Sequence, residues 1–544
     1  MDIRNIIKSA LERLGIDAPP IELEVTRAEA HGDISTPVAM VLAGQLKKPP
    51  GKIAGDIVNA IGNGEMFEKV EIAGPGFINF FLAKDYIHKK LADLLKDPGK
   101  FVRCDMGRGE KVQIEFVSAN PTGPLHLGHG RGAVVGSALA NLLENAGYNV
   151  EREFYVNDAG RQVHLLGESV FARYMELCGR DYSFPEDGYR GEYIIDISKS
   201  IYNEEGDKYC NKGFDECSDY FIDYSYMLML DDIKVNLEDF GVVFDSFRSE
   251  KELYSKGHVD SLIEFLREKN LVYEGSGATW FRSTEFGDDK DRVIIKSDGR
   301  YTYFASDIAY HFLKIKGGFR ELINIWGADH HGYVKRVRSA IDALGFDPGR
   351  LKVILVQMVS LLKAGKPVQM SKRAGDFITL REVMNEIGRD TTRFIFLTRK
   401  PDSHLEFDLD IAKKHSAENP VFYVQYAYAR INSIFRKAGE EGFDPDNLEY
   451  SHVKMLSEDE ELRLIKKVLF YPILFEGAVN AREPHRITYY LQELAGIFHP
   501  YYSRHRVLGE DRNITVARLL LCRAIMIILN EGLSILGISA PEKM

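Results

Sequence analysis

The chain has 544 residues, 45% hydrophobic and 28% charged, with a formal net charge of −11. At roughly 150 residues per domain that length calls for about three or four domains, and the composition is that of a globular protein rather than a disordered one. The acidic balance excludes a basic packaging protein, so any nucleic-acid partner must be gripped by local patches of Lys and Arg.

Taken in chain order, residues 2–15 read as an amphipathic helix, with no signal-peptide pattern. "IELEVTRA" alternates like a strand, and "ISTPVAMVLAGQLKK" reads as a helix that ends before Pro49 and Pro50. "KVEIAGPGFINFFL" predicts two short strands around a Gly-Pro-Gly turn. A helix over about 84–96 and "KDPGK" lead out of this small α+β unit. "KVQIEFVSA" (111–119) has the pattern of a buried strand. A proline- and glycine-rich loop, a helix ending near Gly147 and the strand "VEREFYVND" follow. Strand, glycine loop, helix and strand form the opening unit of a parallel, Rossmann-like nucleotide-binding sheet.

Residues of about 165–295 lack that rhythm and read as an insertion. The βαβ pattern returns near "RVIIKSDGRYTYFASDIAYHFLK", "ELINIWGADHHGYVKRV" and "LKVILVQMVSLL". From about 400 the pattern is helical, with four long helices expected to pack as an all-α bundle. The expected domains are thus an α+β unit over 1–105, an α/β domain over 106–400 and a helical domain over 401–544. The apolar run "RLLLCRAIMIILNEGLSILG" carries Arg523 and reads as a core helix, so no membrane association is expected. Five cysteines (Cys104, Cys178, Cys210, Cys217 and Cys522) are sparse and form no C-x-x-C pair. Neither a disulfide framework nor a structural zinc site is expected, and a reducing cytoplasmic location fits.

Two loops carry chemistry. In "VSANPTGPLHLGHGRGAVVG", His126 and His129 stand at a helix start among Gly128, Gly130 and Gly132. A metal site is one reading, although the glutamate of H-E-x-x-H is missing. Close helix–strand packing is a second. The third is a phosphate cradle, in which glycines let the backbone approach and the helix N-terminus offers N–H groups. The residues alone leave all three open. The second loop, "GKPVQMSKRAGDFITL" (365–380), sets Lys372 and Arg373 after Met370 and Ser371. Glu115 could be an ordinary strand carboxylate, but its strand looks buried, and a buried carboxylate needs a cationic partner, which a substrate could supply.

Together the loops resemble the signature pair of class I aminoacyl-tRNA synthetases. "HLGH" is similar to their His-Ile-Gly-His motif and "QMSKR" to their Lys-Met-Ser-Lys-Ser loop. "IWGADHHG" resembles the turn that meets the ATP ribose and adenine. The resemblance narrows to the arginyl-tRNA synthetase family through "HGDISTPVAM", "GPGFINFFL", "EFVSANPTGPLHLGHGRG", "YVNDAGRQ", "YTYFASDIAYH", "NPVFYVQYAYAR" and the terminal "LGISAPEKM". These cover nearly the whole chain.

That resemblance implies arginine activation by ATP, with Mg²⁺ arriving on the nucleotide and no fixed protein metal site, followed by transfer to arginine tRNA. It places His126 and His129 on the ATP phosphates and Lys372 on the leaving pyrophosphate. Gly128, Gly130, Gly327, Asp329, Met370 and Ser371 go to ATP. Glu115, Tyr303 and Asp307 surround the arginine side chain, while Asn120, Ser118 and His126 hold its other end. A planar guanidinium with five donors does call for carboxylates. Phe77 and Asn79 are assigned to the tRNA D-loop, and Tyr423, Gln425 and Met544 to the anticodon region. A monomer is expected. Gln369 departs from the family pattern, standing where the signature loop begins with lysine; Lys363, Lys366 and Arg373 are near enough to share its work. A tRNA-binding paralogue without catalysis is the alternative; it has no reason to retain His126, His129, Lys372, Glu115 and Asp307 together.

Overall fold

The computed structural model describes residues 3–26, 28–62, 64–367, 378–414 and 416–544. The chain divides into two compact units, one made of 1–104 with 420–544 and the other of 105–419.

In the first unit, helix Ile3–Arg13 buries Ile3, Ile7, Ala10 and Leu11, the spacing of one helical face. The antiparallel sheet has the order Glu24–Val25, Ile34–Thr36, Phe77–Leu82, Phe67–Ala73. The predicted helix from Ile34 is instead a short strand, then Pro37, then helix Val38–Leu46. The prolines that end that helix also start another, Pro50–Ile61. Proline suits the first helical position because its φ is preset and its missing N–H would have had no partner there.

The C-terminal helices of this unit are Pro420–Glu440, Asp459–Leu469, Tyr471–Ala481, His485–Arg504 and Arg512–Ile535. One predicted helix breaks at Phe470, because Pro472 cannot continue the hydrogen-bond ladder. The N-terminal and C-terminal segments share their core. Helix Lys84–Lys96 packs on Asp459–Leu469 and on Arg512–Ile535. Asp33 pairs with Lys466 at 2.8 Å, and His88 Nε2 bonds the Leu456 carbonyl at 2.9 Å. Helix Arg512–Ile535 is apolar and long enough to cross a membrane, but it buries Leu519, Leu520, Leu521, Ile525, Ile528 and Leu529 inside this unit.

The second unit is built on a five-stranded parallel sheet. Its order is Leu351–Val356, Glu321–Gly327, Lys111–Glu115, Asn149–Val156, Ser246–Ser249. In chain order the strands stand 5-4-1-2-3, so the order reverses between Lys111–Glu115 and Glu321–Gly327. Open parallel sheets bind ligands at such a switch point, beyond the carboxyl ends of the strands.

The region 165–295 is not wholly an insertion, since Ser246–Ser249 is the sheet's edge strand. The same region holds helices Arg161–Leu177, Glu192–Glu205 and Ser218–Asp239. Strand Arg292–Ile295 joins a separate antiparallel sheet with Val272–Gly275 and Ala278–Phe281. Beyond residue 400 the chain is not yet helical: Leu405–Asp408 pairs in parallel with Val359–Lys363. One disulfide joins Cys178 to Cys210, with Cα atoms 5.7 Å apart. The sequence hid this pairing because it is made by helix packing across 32 residues.

Candidate active site

The first strand of the parallel sheet ends at Glu115. The chain then takes two left-handed residues, Val117 (φ 69°) and Ser118 (φ 39°), before the proline-rich loop. Helix Leu127–Asn145 begins after His126. His126 caps it: its Nδ1 accepts from the N–H of Gly128 (3.1 Å) and of His129 (3.3 Å). His129 Nδ1 accepts in turn from the His126 N–H at 3.4 Å. The rings stack with centroids 3.7 Å apart. With both Nδ1 atoms accepting, each neutral ring carries its proton on Nε2, the donor a phosphate oxygen requires.

The glycines of this helix differ in their work. A Cβ on Gly128 would stand 3.0 Å from the His126 ring, and one on Gly136 2.3 Å from the Phe116 ring. Gly130 is buried against Leu380 and Phe396, so its position reads as helix packing rather than nucleotide contact. On the neighbouring strand, Gly327 and Asp329 are exposed at the carboxyl end, across the switch point from Glu115. Met370, Ser371 and Lys372 lie outside the described residues, as do Gln369 and Arg373.

The other half of the site is acidic. Helix Tyr303–Lys316 supplies Tyr303 and, one turn on, Asp307. Tyr303 is exposed, and its hydroxyl lies 2.8 Å from where a Cβ on Gly160 would be. Gly160 (φ 93°) therefore makes room for that ring. Asp307 accepts from the Tyr333 hydroxyl. Burial, with Glu250 and Glu115 nearby, raises its pKa to about 7 despite that bond.

Glu115 behaves differently. The cation expected from a substrate is supplied by the chain: Lys314 Nζ lies 2.9 Å from Glu115 Oε2. Burial pushes the Glu115 carboxyl up, but Lys314, with His311 and the Tyr310 hydroxyl, more than offsets it and the pKa ends below its ordinary value. Glu115 Oε1 accepts from Ser118 Oγ at 3.2 Å, and Ser118 Oγ accepts from the Tyr155 N–H at 3.1 Å. Asn120 donates to Gln162 at 2.7 Å.

Sequence reasoning missed Glu250 and Tyr155. Glu250 is the first residue of helix Glu250–Ser255, capped by Ser249 at the end of the edge strand. It is 2% exposed. Ser306 Oγ donates to its Oε1 at 3.0 Å, while Oε2 and the buried Tyr155 hydroxyl have no hydrogen-bond partner among the described residues. Burial raises the pKa of both groups, and Tyr155 also feels Glu250, Asp307 and Glu115. Two carboxyls held above their ordinary values, Glu250 buried and Asp307 half-buried, with an unpaired hydroxyl beside them, form a receptor for a cation that carries several N–H donors. The signal was present in "SEKE", a serine followed three residues on by glutamate, which is a helix start.

The remaining assignments lie in the first unit. Phe77 is half-buried at the end of its strand, and Asn79 is buried in the sheet centre opposite Ser35 and Glu71. The Tyr423 ring packs at a tilt on His499, with centroids 4.5 Å apart, and His499 Nε2 bonds the Tyr423 carbonyl at 3.0 Å. Gln425 is buried and donates to the Ser539 carbonyl at 2.9 Å. Met544 is exposed. No cluster of three metal-ligating side chains occurs among the described residues.

Residues 90–433 match the class I (R) tRNA synthetase catalytic domain. Residues 1–82 match the arginyl tRNA synthetase N-terminal domain, and 424–544 the DALR anticodon binding domain. The chain belongs to the class I arginyl-tRNA synthetase family. It is 49% identical over 532 residues to the arginine–tRNA ligase of Geobacter sp. strain M21, covering 97% of this chain and 96% of that protein. It is 46% identical over 549 residues to that of Bacillus subtilis strain 168, covering 100% and 98%. The solved arginyl-tRNA synthetase of Thermus thermophilus is similar in fold, with a TM-score of 0.79, 22% identity and coverage of 100% of this chain and 99% of that one.

Proposed function

We propose that this chain is an arginine–tRNA ligase. Asp307 and Glu250, carboxyls without an ion pair among the described residues, carry this reading because they stand with Glu115 and Tyr155 beyond the carboxyl end of the sheet, where the histidine loop also leaves it. The guanidinium lies between them, with Tyr155 and Tyr303 at its sides. Asn120 and Ser118 face the amino-acid end. Glu115 sits behind that end, already neutralised by Lys314.

The arginine carboxylate oxygen attacks the α-phosphorus of ATP, the bond to the β-phosphate oxygen breaks, and pyrophosphate leaves. The terminal ribose hydroxyl of arginine tRNA then attacks the carbonyl carbon, and AMP leaves. No covalent enzyme nucleophile is required. Positioning and charge stabilisation supply the rate. His126 and His129 donate to the phosphates from Nε2, and the helix N-terminus behind them favours the same charge. Lys372 attends the pyrophosphate, and Gly128, Gly327 and Asp329 attend the nucleoside. Mg²⁺ comes with the nucleotide. Phe77 is the exposed-edge aromatic suited to stacking on an unpaired tRNA base, and Met544 with the Tyr423 helix is assigned to the anticodon. Buried Asn79 and Gln425 support those surfaces from within. The chain acts as a cytoplasmic monomer.

The test is charging of tRNA with a panel of amino acids, with pyrophosphate exchange measured with and without tRNA. Arginine alone is expected to be charged, with exchange dependent on tRNA. Charging of another amino acid contradicts the specificity, and tRNA binding without any charging contradicts the ligase reading.

A further inference from the structure

Lys314 is one of two lysines, with Lys316, in the last turn of helix Tyr303–Lys316, a position where lysine is ordinarily solvated. Here it is buried at the switch point of the sheet. Its Nζ lies 2.9 Å from Glu115 Oε2 on the first strand and 3.6 Å from Glu153 Oε1 on the second. It is 3.5 Å from Asn324 Oδ1 on the fourth strand and 3.2 Å from the hydroxyl of Tyr310. One ammonium thus ties three strands to one helix.

Its two carboxylates are not equivalent. Glu153 has other partners, accepting from the Tyr310 hydroxyl and from Ser246 Oγ, with Arg248 3.7 Å away. Glu115 has Lys314 as its ion-pair partner and Ser118 Oγ as its hydroxyl donor. Ser118 stands in left-handed backbone, which an L residue adopts only when its surroundings hold it there. The chain from Lys314 through Glu115 to Ser118 therefore ends in the loop that carries Asn120 and, further on, His126. A cation outside the guanidinium's place that satisfies one acid leaves the other acids for the substrate.

We propose that Lys314 is a positioning residue for arginine, acting through Glu115: it fixes that carboxylate and the Ser118 turn, so the amino-acid site is formed before arginine enters. The inference rests on the arginine–tRNA ligase reading. Wild-type charging tests that reading, whereas the comparison among variants tests only this one.

The experiment is a double-mutant cycle on the full-length chain with Lys314→Met, Glu115→Gln and the pair, reading KM for arginine and for ATP and also kcat. Lys314→Met is expected to raise the arginine KM by about tenfold, the scale of one coupled buried contact, with the ATP KM within about twofold of wild type. The double variant is expected to be no worse than Lys314→Met, because the stranded charge is gone. An unchanged arginine KM in Lys314→Met overturns the proposal, as does a parallel rise in the ATP KM, or a double variant whose effect is the product of the two singles. If Lys314→Met does not fold, the double variant is compared with Glu115→Gln alone. Equal arginine KM values support the proposal, and a further tenfold rise overturns it.

Discussion

At the scale of the residue, Asp307 and Glu250 set the pH behaviour. The folded Asp307 carboxyl titrates near 7 against an ordinary 3.8 because it is buried. Between those values the folded chain holds a proton that the unfolded chain has released, so without ligand this group's contribution to stability falls as pH rises from about 4 to about 7. Glu250 shifts in the same direction. Arginine requires the ionised form. Its KM is therefore expected to fall as pH rises through 7, and binding below that pH is expected to release a proton, visible as a buffer-dependent heat in calorimetry. Asp307→Asn is expected to weaken both effects, leaving the part that Glu250 contributes. Glu250→Gln keeps the shape and removes the charge; the loss of a charge-assisted hydrogen bond, about 1.5–3 kcal/mol, is expected to raise the arginine KM by roughly tenfold or more. A Glu250→Gln enzyme with wild-type arginine KM would remove that residue from the pocket.

At the scale of the element, the helix that begins at His126 is set against the sheet by small residues. A Cβ on Gly136 would stand 2.3 Å from the Phe116 ring. Gly136→Ala is expected to cost about 1–3 kcal/mol through overpacking, seen as a lower Tm in thermal denaturation, and adding Phe116→Leu is expected to recover part of it. This element was legible in the sequence, since "KVQIEFVSA", the glycine loop and the helix after it follow local rules of burial and turn chemistry. Strand Ser246–Ser249 was not. As a half-exposed edge strand it lacks the apolar run of a buried parallel strand, and Glu250 went unnoticed with it. Nothing in the local sequence marks Lys314 as buried, because its partners are carboxylates on strands far away in sequence. The two histidines, Tyr303 and Asp307 were legible as types and spacings, whereas the exchange of partners between Glu115 and Lys314 needed the folded chain.

At the scale of the whole molecule, a chain of net charge −11 must hold a polyanion through local contacts. The KM for tRNA is expected to rise steeply with salt, as counterion release requires, while the KM for arginine, set in a buried pocket, changes little. Equal salt slopes for both would contradict a surface-held tRNA and an enclosed amino acid. The N-terminal and C-terminal segments share one compact unit, so cutting either away is expected to destabilise the other. Two carboxylates, Asp307 and Glu250, read a guanidinium; comparing kcat/KM for tRNA charging with arginine and with citrulline, the neutral isostere, tests this. Rejection of citrulline by about 10³-fold or more is expected, since the analogue leaves both carboxyls without a cation; charging of the two at rates within tenfold of each other would exclude guanidinium recognition by these carboxylates.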